Sequence, residues 1–143
     1  MLQECHVPAA LLADTRRMVH QLLPAYCMFA NRSKGSGNKL QVVTLVHCYL
    51  AARASLFSIT EQLAAVAAAP PGLAEQVHAL RLIEPRTGAT LLLVNARQFQ
   101  ATQPTHQAAL LELIRLILAR WAGDADAVVV GADWNASLAA RHG

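Results

Sequence analysis

"QVHALRLIEPRTGATLLLVNARQ", residues 76–98, holds two apolar runs separated by a four-residue break, "PRTG". The flanking runs are short and rich in leucine and valine. The break starts with Pro85, which favours the first corner of a turn, and ends with Gly88, which tolerates a left-handed backbone. The stretch reads as a β-hairpin.

The same reasoning extends in both directions. Downstream, "TQPT" precedes a helix from about Gln107 to Trp121, with Leu110, Leu111, Ile114, Ile117, Leu118 and Trp121 as its apolar stripe. "GDAD" is a turn, and "AVVVGA" reads as a buried strand. Upstream, "MLQE" reads as the tail of a buried strand. Pro8 then opens a helix whose Leu11, Leu12, Met18, Val19, Leu22 and Leu23 share one face, and Pro24 closes it. "AYCMFA" is a strand, "NRSKGSGNK" a loop, and "LQVVTLVHCYL" a β-branched strand. Residues 51–74 fit helix and strand about equally. Strands and helices in this order imply a mixed α/β domain with at least one sheet.

Composition sets the outer bounds. The 143 residues suit one domain with a buried core. Mean hydropathy is +0.32, yet no run of 18 apolar residues escapes Pro, Gly or charge, so no membrane span is expected. The N-terminus has no basic leader, and an intracellular setting follows. Cys5, Cys27 and Cys48 are an odd number at wide spacing, which suits reduced, mostly buried thiols better than a disulfide framework or a zinc site. The net charge is +3, unevenly spread. No Asp or Glu lies between Thr15 and Thr60, a stretch that holds Arg16, Arg17, Arg32, Lys34, Lys39 and Arg53. It is a candidate footprint for a phosphate backbone, and equally a solvated basic face.

Two places carry candidate chemistry. "VVVGADWN" brings Asp133 and Asn135 to the end of a strand, two residues apart and so on one side of an extended backbone. A carboxylate there can orient or deprotonate water, and an amide can donate to a phosphate oxygen. An Asx-turn ending the strand is the plainer reading. Glu4 ends the first apolar stretch. If the two strands are neighbours, Glu4 and Asp133 converge, and paired carboxylates favour a hard divalent cation, most simply Mg²⁺.

"LQECH" at 2–6 resembles the Leu-Gln-Glu-Thr-His strand end of the endonuclease/exonuclease/phosphatase superfamily, and "VVVGADWNASL" resembles its Gly-Asp-x-Asn motif, with Ala132 between Gly131 and Asp133. "VVTLVHCYLAAR", "LLLVNARQF" and "HQAALLELIRLIL" are similar to further segments of that family in the same order. The flavour is that of the endonuclease domain of non-LTR retrotransposons. The resemblance implies an α/β (α+β type) fold: a two-sheet sandwich flanked by helices, an incomplete version of the family's four-layer arrangement over residues 1–143. It implies Mg²⁺ (or Mn²⁺) held by Glu4, water activation by Asp133, and Asn135 on the scissile phosphate. Asn95 and Arg97 would lie along the phosphate, Arg97 where the family has Tyr. Arg16, Arg17, Lys34 and Lys39 would bind the backbone of nucleic acid, expected to be DNA, with the nucleus as a fitting location.

The chain departs from the family at both ends. The first strand, with its Asn, and the closing Ser-Asp-His motif have no counterpart here. His142 is the histidine nearest Asp133 in sequence, but a near-terminal position makes it a poor substitute. The expectation is a fragment-like domain with weak or no activity alone. A non-catalytic remnant binding nucleic acid or a protein partner through its basic face is the alternative, as is a phosphatase or lipid phosphodiesterase of the same fold.

Overall fold

The computed structural model describes residues 2–3, 11–32, 40–97 and 104–133. Among the described residues seven strands and four helices follow one another as β1 (Leu2–Gln3), α1 (Leu12–Leu22), β2 (Tyr26–Arg32), β3 (Leu40–His47), α2 (Cys48–Ala51), β4 (Ser55–Leu56), α3 (Thr60–Ala65), β5 (Val77–Ile83), β6 (Thr90–Arg97), α4 (Pro104–Trp121) and β7 (Ala127–Asp133). The chain is mixed α/β with two sheets. One has the order β1-β3-β2, all antiparallel. The other has the order β4-β5-β6-β7.

The expected hairpin is β5 and β6, antiparallel from Val77 opposite Ala96 to Ile83 opposite Thr90. Backbone bonds from Glu84 N to Ala89 O and from Gly88 N to Glu84 O close its loop. Gly88 has φ +76°, the left-handed conformation that a side chain resists. Glu84 fastens the loop to α2: its carboxylate accepts from the Tyr49 hydroxyl and from Thr87. β7 pairs parallel to β6, which requires a crossover, and α4 supplies it.

The period-2 alternation of β5 and β6 sorts their side chains between two cores. Val77, Ala79, Leu92, Val94 and Ala96 face α4, where Leu110, Leu113 and Ile117 are fully buried. Leu80, Leu82 and Leu93 face the other way and meet Val46 of β3, so the two sheets pack on each other. The far side of the first sheet is covered through Leu12 of α1, which packs on Val43, Met28, Ala30 and Leu45.

Three sequence expectations change. The valines of β7 are not buried: Val128, Val129 and Val130 are 40–45% exposed. Among the described residues β7 is the outermost strand of its sheet, paired on one side only, so its β-branched run lies at an edge. The apolar stripe of α1 is also mostly outside. Leu12 is buried, but Leu11, Met18, Leu22 and Leu23 are 43–72% exposed, because the helix meets the sheet chiefly through its first turn. The ambiguous segment 51–74 resolves into short pieces, β4 and α3, and a 3-10 turn (Leu73–Gln76) follows it into β5. Cys27 and Cys48 are free thiols, each half-buried, with sulfurs 3.4 Å apart. The hydrogen bond it shares with Cys48, and then burial, raise the Cys27 thiol above its ordinary value.

Candidate functional site

The inner face of the second sheet changes character along its length. Side chains that share a register position on neighbouring strands point to the same face. The rows therefore read Leu82–Leu91–Ala127, Leu80–Leu93–Val129, His78–Asn95–Gly131, and finally Arg97–Asp133. Two apolar rows are followed by two polar ones. The polar rows lie at the C-terminal ends of the parallel pair β6 and β7, where sites gather in α/β sheets.

The third row is locked to the first sheet. Asn95 is fully buried, and its Nδ2 donates to Val43 O at 3.2 Å and to Thr44 Oγ1 at 3.0 Å. Thr44 Oγ1 lies 3.3 Å from His78 Nδ1. His78 is 1% exposed, and burial pulls its pKa down from 6.5 to about 4. The imidazole is thus neutral at physiological pH, and its Nε2 meets no hydrogen-bond partner among the described residues.

The fourth row stands at the strand tips. Arg97 is the last residue of β6 and largely buried, 7% exposed. Asp133 is the last residue of β7, directly beside it in register and half-buried. A guanidinium and a carboxylate therefore share one end of the sandwich. β1 ends there too. Gln3 pairs with Val42, next to the Val43 whose carbonyl takes the Asn95 amide.

Of the predicted site residues, Asp133, Arg97 and Asn95 fall together on one face of adjacent strands. Asn95 has no solvent exposure, and its amide donates to β3, which ties the two sheets together. Arg16 and Arg17 lie on exposed turns of α1, which packs on the outer side of the first sheet, away from the polar rows. Arg17 is paired with Asp14 at 3.5 Å, so the carboxylate just before the acid-free stretch offsets part of its charge. Glu4, Asn135, Lys34, Lys39 and His142 lie outside the described residues.

Thr44 and His78 were not anticipated. The signal for each was present: Thr44 is the one polar residue in "VVTLV", and His78 shares the period-2 face of Leu80 and Leu82. A polar residue on a core-facing position needs a partner, and here each partners the other. Among the described residues no group of three or more His, Cys, Asp or Glu is placed to hold a metal ion. Asp133 offers an oxygen donor of the type magnesium takes, and magnesium needs no more than one or two carboxylates from protein. Among the described residues no helix is long and apolar enough to cross a membrane. Compared with known protein families, curated protein sequences and solved structures, the chain matches none.

Proposed function

We propose that this chain is a phosphodiester-hydrolysing domain of the endonuclease/exonuclease/phosphatase type, acting on nucleic acid, with its reaction centre at the tips of β6 and β7. The observation that carries the reading is the pair Arg97 and Asp133, side by side in register at the polar end of the inter-sheet face. Arginine binds a phosphate oxygen pair through its planar fork. The neighbouring carboxylate takes a proton from water or orients it for in-line attack on phosphorus. The Thr44–Asn95 bonds fix the strand beneath them, so the tip groups sit on a rigid base. Asn135, two residues beyond Asp133 in sequence, supplies an amide for the scissile phosphate. Glu4 and Asp133 provide the carboxylates for magnesium, which when bound would stabilise negative charge on the phosphate. His78 takes no part in proton transfer, being neutral and enclosed.

The test uses supercoiled plasmid with magnesium, with and without chelator. Slow nicking that needs the metal and falls at least about 100-fold in Asp133→Ala is expected, the size of loss typical for one charge-stabilising group. His142→Ala should change the rate little. Manganese should broaden the NMR signals of Ala132 and Asp133 whether or not turnover is fast. Cleavage unaffected by Asp133→Ala, or manganese broadening confined to other residues, would overturn the reading. Nucleic-acid binding with neither cleavage nor broadening would favour a non-catalytic binding domain.

A further inference from the structure

A cavity of about 320 Å³ opens at the other end of the second sheet and on its other face. It is lined by Phe57, Arg81, Thr90, Leu92, Arg120, Trp121, Asp124 and Ala125. Thr90 begins β6 and Arg97 ends it, seven strand steps or about 23 Å away. Arg81 points to the α4 side, with Val77 and Ala79, while Arg97 points between the sheets. The cavity therefore shares no residue with the polar rows.

Its lining is of three kinds. Phe57 and Trp121 form a stacked pair, ring centroids 4.3 Å apart and planes 10° from parallel, and both residues are half-buried. With Leu92 and Ala125 they make an apolar wall. Arg81 and Arg120 are exposed, and among the described residues neither has a carboxylate within 4 Å or a side-chain hydrogen bond. Elsewhere the chain does pair such arginines: Arg115 binds Glu112 at 2.7 Å and Arg17 binds Asp14. Asp124, at the mouth, likewise has no ion-pair partner among the described residues.

We propose that this cavity binds a nucleoside monophosphate unit. Two uncommitted guanidiniums suit a phosphate group, which takes forked hydrogen bonds from each. The aromatic wall suits a planar heterocycle, which arginine and aromatic neighbours hold by stacking. Asp124 accepts from a ribose hydroxyl or an exocyclic amine. An aromatic carboxylic acid would satisfy the first two groups and leave the third unused. The volume lies at the lower end of the small-molecule range, which fits one nucleotide rather than a dinucleotide cofactor. The same unit occurs free or as the phosphorylated end of a strand.

Trp121 is a built-in reporter once Trp134, the other tryptophan, is replaced by Phe. The full chain carrying Trp134→Phe is titrated with AMP, with a 5′-phosphorylated dinucleotide, with adenosine and with inorganic phosphate. Saturable quenching by AMP or by the dinucleotide is expected, with half-saturation below about 1 mM. Whichever binds tighter identifies the source of the unit. Adenosine and phosphate should each bind at least about tenfold more weakly, and Arg81→Gln or Arg120→Gln should cost AMP about tenfold. Both arginines are exposed, so neither change disturbs the core, and a circular-dichroism melt checks this. Equal binding of adenosine and AMP, an unchanged AMP affinity when Arg81→Gln and Arg120→Gln are combined, or no saturation with any of the four would overturn the proposal. Cleavage of plasmid by the Asp133 centre is a separate readout that these outcomes leave untouched.

Discussion

Protonating His78 would place a cation between two sheets, beside a threonine hydroxyl and an amide already committed to each other. That cost is why burial holds its pKa near 4 against an ordinary 6.5. The sign of the linkage is fixed. Between those two values the unfolded chain binds a proton that the folded chain refuses, so stability falls as pH drops through the window and this contribution levels off below about pH 4. At pH 5 the loss from this one group is about 2 kcal/mol. Urea unfolding of the wild type and of His78→Gln at pH 7.5, 6 and 5 isolates it. From pH 7.5 to pH 5 the wild type should lose about 2 kcal/mol more than the variant, and parallel slopes would show that His78 titrates normally. Asn95 belongs to the same network. A buried amide with partners on the opposing sheet resists replacement, because an apolar residue there strands the Thr44 hydroxyl and a strand carbonyl.

The hairpin of β5 and β6 is the element from which the rest is placed, and its turn depends on one glycine. Gly88 sits at φ +76° with open space around it, so adding a Cβ meets no neighbour and the penalty is purely conformational. Gly88→Ala should cost about 1 kcal/mol, and Gly88→Asn less, since asparagine tolerates the left-handed region. Thermal midpoints of the two variants measure this, and equal midpoints for wild type and Gly88→Ala would show that the turn relaxes to another conformation. This hairpin was legible in the sequence because "PRTG" marks a turn between two runs of strand length. The helix expected from Gln107 to Trp121 is α4, starting three residues earlier at Pro104, a residue suited to a first helical turn. What the sequence hid was coverage. "AVVVGA" is apolar on both faces, which reads as burial on both sides, yet an edge position exposes it. The stripe on α1 misled in the same way: periodicity tells which side chains share a face, not whether a second layer reaches them. At the strand tips the pairing of Arg97 with Asp133 could not be read at all, since it depends on the register of two strands separated by a helix.

Charge acts over the whole molecule. The formal +3 is spread widely: Arg16 and Arg17 on α1, Arg53 beyond α2, Arg81 and Arg120 around the cavity. β3 starts near the polar rows and runs away from them, so Arg53, which follows its far end, lies remote from Asp133. Affinity for a phosphate backbone in such a molecule comes from released counterions, and its logarithm falls linearly with the logarithm of salt. Each phosphate neutralised on duplex DNA adds about 0.9 to the slope, so Arg16, Arg17, Lys34 and Lys39 acting together would supply about 3.6. Arg17 already lies 3.5 Å from Asp14, and an exposed pair of that kind holds part of its charge at low cost. The slope carried by the four should therefore be nearer 3 than 4. Replacing all four with glutamine and measuring duplex binding by fluorescence anisotropy between low and physiological salt should remove that amount. Asp14→Asn should move the wild-type slope the other way, by freeing Arg17. If the fourfold variant keeps the full slope, the acid-free stretch is a solvated face, and the contacts to nucleic acid come from Arg97 at the strand tips and from the arginines of the cavity.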